Sequence, residues 1–286
     1  MAIERLRLEA NGYEFSAVAL GPSAGELVLL LHGFPQTGMA WRAVMRRLAA
    51  AGYRAVAPDQ RGYSPGARPA EVEAYAVDHL RADALAMATA LGARRFHVVG
   101  HDWGGVVAWS LAGENPERVR SVTVLSTPHP RALRAALRSP EQAIRSAYIP
   151  FLRLPILPEL VLGLGSGEAL RRLLQASGLS AAQATTYTRA MTTGGALRGA
   201  LNWYRALDLG GRVVGPISVP ATYMWGERDP VFTAAAAEAT EDQLDGDHTM
   251  LPLAEAGHWL PESHAAEVAD AVIARAGTAP RRPRRR

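Results

Sequence analysis

The chain contains no cysteine, which excludes disulfides, thiolate catalysis and cysteine metal sites, and leaves the redox compartment unread. It contains no lysine either, so every base is arginine; this reads as compositional bias. The net charge of +4 is misleading, because five arginines lie in the final stretch "APRRPRRR" (279–286). Without them 26 bases face 27 acids, a balance of −1. A nucleic-acid footprint spread over a folded face is therefore not expected, and the tail reads as a disordered, solvated end. No uncharged apolar run reaches the ~18 residues of a membrane span. No signal peptide is visible, because "MAIERLRLEANGYEFSAVAL" is charged early and alternates like a strand and hairpin. The expectation is a cytoplasmic protein with no membrane partner. No His/Asp/Glu spacing suggests a metal site and no Gly-rich loop follows a strand as a phosphate cradle would, so no metal or cofactor is expected.

The 286 residues, 48% of them hydrophobic, allow one large domain or a core with an inserted piece. Short strand-like runs alternate with helical patterns. "ELVLLLH", "YRAVAPD", "RFHVVG" and "VRSVTVLST" are continuously apolar, and helix-like segments separate them. This order predicts a mostly parallel sheet with helices on both faces. The rhythm stops after "STPHP" (Ser126 to Pro130). From about Arg131 to Gly211 the pattern is helical, and strands resume at "SVPATYMWGERDP" and "HTMLPLAEAGHW". The expected organisation is a core from 1–130 and 213–278, a helical insertion at 131–212, and the tail at 279–286. A final helix is expected over Pro261 to Ala276.

Ligands of open parallel sheets sit at the carboxyl ends of the strands. The polar residues that end strand-like runs here are His32, Asp59, Asp102, Asp229 and His258. Asp102 lies in "GHDWGG", a strand-to-helix junction that in many hydrolases reads G-x-S-x-G with serine as nucleophile. Alone, Asp102 would be a helix cap, Asp229 before Pro230 a turn residue, and His258 a surface loop residue. Together they follow the order nucleophile, acid, histidine.

A carboxylate is a poor nucleophile toward an ester, since attack gives an anhydride. It suits an sp³ carbon bearing a leaving group, where displacement gives an alkyl-enzyme ester. Water activated by His258, with Asp229 holding the imidazole, would then hydrolyse that ester at the Asp102 carbonyl carbon. The backbone N–H groups of Trp103 and Phe34 are the candidate oxyanion donors. The electrophile is an epoxide or a carbon–halogen bond. The first wants O–H acids for its alkoxide, and the second needs only N–H donors for its halide.

At these residues the sequence resembles the α/β-hydrolase superfamily, and within it the epoxide hydrolases, over about residues 1 to 277. "HGFP" (His32 to Pro35) resembles the oxyanion loop, where the proline peptide is typically cis. "GHDWGG" resembles the aspartate elbow, and "GERDPVF" and "AGHW" carry the acid to Asp229 and the base to His258. The resemblance implies an α/β-hydrolase fold, a mostly parallel eight-stranded sheet with helices on both faces and an inserted helical cap. "LNWYR" (Leu201 to Arg205) resembles the cap segment that supplies a ring-opening tyrosine, which implies that role for Tyr204. "SAYIPFLRLP" offers Tyr148 as its partner, with Tyr187 also in the cap. His32, Phe151 and Trp203 are expected to contact substrate, within an apolar lining that includes Leu152, Leu154, Ile156 and Leu157. His101 reads as a structural neighbour of the elbow and His129 as part of the hinge into the cap. The expected partners are a small hydrophobic epoxide and water, and a homodimer is compatible with the sequence. "HDWGG" is shared with haloalkane dehalogenases, which usually place an N–H donor where this chain has Phe34. A dehalogenase, or a non-catalytic ligand-binding protein on this fold, therefore stands as the alternative.

Overall fold

The computed structural model describes residues 2–208, 210–211 and 213–278; the arginine-rich tail lies outside the described residues. Eight strands form one sheet in the order β1-β2-β4-β3-β5-β6-β7-β8. They are β1 (Glu4–Ala10), β2 (Tyr13–Leu20), β3 (Leu27–Leu31), β4 (Arg54–Pro58), β5 (Phe96–His101), β6 (Val119–Leu125), β7 (Ala221–Gly226) and β8 (His248–Leu253). The first two pair antiparallel through a turn at Asn11 and Gly12, both at positive φ as a two-residue hairpin requires. β2 pairs antiparallel with β4 and every later pairing is parallel. All residues of β3, β5 and β7 are buried. Strands covered on both faces need apolar side chains on both, which is why they read as unbroken apolar runs.

Chain direction sets where the helices go. The crossover from β3 to β4 moves toward one edge of the sheet, whereas those from β4 to β5 and β5 to β6 move toward the other. Right-handed crossovers in opposite directions put their helices on opposite faces. Helix Arg42–Ala50 accordingly packs with Ala265–Thr278, and Val77–Ala90 with Trp103–Glu114. The reversal falls at β3 and β5, where Leu31 is in register with Gly100. Two residues further along each strand lie Gly33 and Asp102, so the crevice of the switch point opens between them.

Six helices intervene between β6 and β7: Pro130–Ala136, Pro140–Arg145, Tyr148–Arg153, Leu157–Ala176, Ala181–Met191 and Ala196–Arg205. Ser139 caps the second ahead of Pro140, and Ser180 with Gln183 forms a reciprocal capping box on the fifth. Helix Leu157–Ala176 bends at Leu164–Gly167, where the backbone leaves helical angles. Ala196–Arg205 is buried along most of its length. It approaches the core so closely that a Cβ on Gly199 would stand 2.6 Å from Gly62 Cα. The Trp203 indole seals the same contact by donating to the Arg61 carbonyl. Arg61 is itself pinned by a buried two-point ion pair with Asp83 at 2.6 and 2.7 Å. The expected final helix is two helices, Leu260–Ser263 and Ala265–Thr278. His264 breaks them at φ −130, ψ 41. No single described helix is long and apolar enough to cross a membrane. One pair bent by 90°, Pro140–Arg153 with Leu157–Ala176, passes by length and composition.

Candidate active site

Asp102 occupies the turn between β5 and helix Trp103–Glu114 at φ 51, ψ −122. That backbone is strained for a residue with a Cβ and needs crowded support. The support comes from three glycines. A Cβ on Gly33 would overlap the Asp102 side chain, and Cβ atoms on Gly100 and Gly104 would strike the Gly104 and Leu31 carbonyls. The Thr127 hydroxyl donates to the Asp102 carbonyl at 2.8 Å. The strained turn lifts the carboxylate out of the sheet, toward the helical segment.

Its surroundings hold the carboxylate ionised. Phe34 N–H donates to Asp102 Oδ1 at 2.8 Å, across the cis Phe34–Pro35 turn. Burial opposes the charge, but His258, His101 and the Trp103 N–H outweigh it, so the pKa lies below the ordinary carboxylate value. His258 Nε2 stands 3.7 Å from Asp102 Oδ2, a charge contact longer than a hydrogen bond. On its other side His258 Nδ1 donates to Asp229 Oδ2 at 2.9 Å. The second Asp229 oxygen accepts the N–H groups of Val231 at 2.7 Å and Phe232 at 3.3 Å, which aims the carboxylate at the imidazole. Burial disfavours a charged His258, yet Asp229 and Asp102 together push it up to about 10. The three residues from three strand ends therefore meet as a charge-coupled set.

The helical segment supplies the roof. Tyr204 is buried, with ring centroids 5.6 Å from Phe34, 5.1 Å from Trp103 and 6.3 Å from Tyr148, all edge-to-face. Burial drives its phenol well above the usual range, with Tyr148, Asp102 and Tyr63 adding to it and the Trp103 indole opposing. Tyr148 is 38% exposed over the residue. Its hydroxyl is pushed up by burial and then by the Asp102 and Asp229 charges. Both tyrosines stay neutral donors at any working pH. A cavity of about 230 Å³ lies beneath them. Asp102 and Trp103 form its floor, and Val106, Leu133, Leu137, Ile149, Leu207, Val213 and Phe232 line its sides.

Other expected contacts fall elsewhere. His32 is buried under the oxyanion loop, accepting Gln60 N–H at Nε2 and standing 3.0 Å from the Gly33 carbonyl. Trp203 is buried against Tyr63 and Trp103. Phe151 packs against the hydrophobic core, and none of the three lines the cavity. Leu154, Ile156 and Leu157, expected near substrate, are 44%, 68% and 46% exposed. Among them Ile156 takes a φ of 65. Tyr187 is not at the cavity; its hydroxyl donates to Glu262. His101 lies beneath the elbow, between Gln36 Oε1 and the His258 carbonyl. His129 caps helix Pro130–Ala136 at the start of the segment. Among the described residues no three His, Asp or Glu side chains stand together as a metal site needs.

A family model described as alpha/beta hydrolase fold matches residues 26–265, and the chain belongs to that family. It is an epoxide-hydrolase-like member. Epoxide hydrolase A of Mycobacterium tuberculosis is 32% identical over 94% of this chain and 96% of that one. The superfamily protein YfhM of Bacillus subtilis is 33% identical over 93% and 95%. Among solved structures, a Bacillus megaterium epoxide hydrolase in complex with an inhibitor superposes with TM-score 0.86 at 26% identity, covering 96% of this chain and 100% of that one. Epoxide hydrolase A of Mycobacterium thermoresistibile gives 0.84 at 28%, covering 98% and 100%.

Proposed function

We propose that this chain is an epoxide hydrolase that opens a small hydrophobic epoxide to a vicinal diol through an ester on Asp102. The observation that carries the reading is the convergence of two neutral phenols, Tyr148 and Tyr204, above an ionised carboxylate on an apolar cavity. The likeness to epoxide hydrolases over nearly the whole chain supports it.

An Asp102 oxygen attacks one ring carbon from below. That C–O bond of the epoxide breaks, and a tyrosine proton goes to the departing alkoxide. The ester carries no charge, so one of the two carboxylates that held His258 protonated is gone. His258 then gives up its proton to the tyrosinate, leaving a neutral imidazole as base. Water gives a proton to His258 Nε2 and attacks Asp102 Cγ. The N–H groups of Phe34 and Trp103 stabilise the oxyanion. The bond from Cγ to the diol oxygen breaks, and His258 gives the proton to that oxygen. Asp102 is left as its acid and passes its own proton to His258, restoring the starting carboxylate and charged imidazole. The inserted helices act as a cap that keeps bulk water from the ester. Phe151, Trp203 and His32 act at one remove, by packing.

His258→Gln tests this. Incubated with styrene oxide, the variant should gain the mass of one whole epoxide, mapped to Asp102, because alkylation needs no base and hydrolysis does. A bromoalkane should leave it unmodified. Modification by the bromoalkane alone would make the protein a dehalogenase, and no adduct from either would remove the nucleophile assignment.

A further inference from the structure

Beneath the elbow a line of hydrogen bonds runs from the helical segment to the turn that carries Phe34. Its hub is Glu262, in the short helix Leu260–Ser263 just after His258. One carboxyl oxygen, Oε1, accepts from two sources. The Tyr187 hydroxyl of helix Ala181–Met191 donates at 2.6 Å, and the Gln36 amide N–H donates at 2.7 Å. The other oxygen, Oε2, is sealed from solvent with no partner. Burial pushes the pKa of this carboxyl up to about 7, a costly placement that asks for a role.

Gln36 shows what that is. Its Oε1 accepts the Gly33 N–H at 3.0 Å, and so pins the turn whose next residue, Phe34, points its N–H at Asp102. The same oxygen lies 2.9 Å from His101 Nδ1, and His101 Nε2 lies 2.8 Å from the His258 carbonyl. Burial keeps His101 neutral, its pKa held down to about 3. A neutral imidazole has one N–H, so it hydrogen-bonds only one of these two oxygens. The amide therefore orients an oxyanion donor, and Glu262 orients the amide. A side amide free to rotate would offer Gly33 its NH₂ as readily as its oxygen. Glu262 Oε1, which accepts from the Gln36 NH₂, selects the working orientation.

We infer that Glu262 is a positioning residue for hydrolysis of the alkyl-enzyme, setting the Gln36 amide so that seating Tyr187 of the helical segment and arming the oxyanion turn are one event. This rests on the ester mechanism proposed above. Displacement of a catalytic donor by about 1 Å can cost on the order of a hundredfold. The effect should fall on the second step, where the oxyanion forms and His258 acts, more than on the first.

Rapid-quench intact-mass analysis with styrene oxide separates the steps, since it follows the Asp102 adduct forming and decaying. Glu262→Leu should slow adduct decay at least about tenfold and adduct formation less than about threefold. Glu262→Gln keeps an acceptor oxygen for Tyr187 and Gln36, and should recover most of the lost rate. Tyr187→Phe should slow decay by a smaller factor, and combined with Glu262→Leu should add little. Decay at the wild-type rate in Glu262→Leu, equal slowing of both steps, or no recovery in Glu262→Gln would each overturn the inference. Should Glu262→Leu not fold, normal decay in Tyr187→Phe overturns it alone. A wild-type enzyme that turns over without any adduct removes the ester mechanism itself, and this inference with it.

Discussion

The two regions that meet at the cavity contribute different chemistry and hold it in different ways. The sheet supplies Asp102, Asp229 and His258, held in turn by a strained φ, two backbone N–H donors and a neighbouring carboxylate. The helical segment supplies neutral phenols and apolar walls, held by ring edges packed on Phe34 and Trp103. In the proposed mechanism covalent chemistry falls on strand ends and leaving-group acidity on the helical segment. Glu262 ties the two together.

The largest effect should come from the sheet side. Asp102→Asn should lower turnover by about four orders of magnitude or more, since no other group can form the ester. Residual activity, with deamidation excluded by mass, would break the division between the regions. On the segment side Tyr204→Phe should slow epoxide opening by roughly 10²–10⁴, the usual range for a general acid. Tyr148→Phe should cost less, because Tyr204 is the more enclosed by rings. The order is read from pre-steady-state adduct formation; a reversed order would move the principal acid to helix Tyr148–Arg153.

A smaller effect sharpens the coupling. The folded His258 has its pKa raised from 6.5 to about 10. Its charged form therefore stabilises the fold fully below about 6.5, and that stabilisation fades as pH climbs toward about 10. Asp102→Asn removes one of the two carboxylates responsible. Its Tm should fall less steeply than the wild type's between pH 7 and 10. Parallel curves would mean that the 3.7 Å contact between His258 and Asp102 carries no charge coupling.

Much of the sheet side was legible in the sequence, because a parallel strand covered on both faces is a continuous apolar run and the polar residue ending it marks the site. Asp102 and Asp229 follow such runs, whereas His258 follows β8, an edge strand only partly buried. The segment was harder to read. Tyr204 stood out through "LNWYR", but "IPFLRLPILP" looked like one apolar wall. In the fold Leu154, Ile156 and Leu157 are exposed and Phe151 packs against the core. The cavity is walled instead by residues such as Leu133, Leu207 and Phe232, scattered over a hundred positions without periodicity. The pair Gln36–Glu262 is 226 residues apart. No local pattern marks it, and only the folded chain brings the two together.

The central claim is that oxygen enters the diol from Asp102 and not directly from water. A single turnover in H₂¹⁸O, with enzyme in excess over epoxide, tests it. Water attacking Asp102 Cγ leaves the label in the Asp102 carboxylate and yields an unlabelled diol, which is the predicted result. A labelled diol in the first turnover, with Asp102 unlabelled, would mean that water attacks the epoxide itself and would contradict the account.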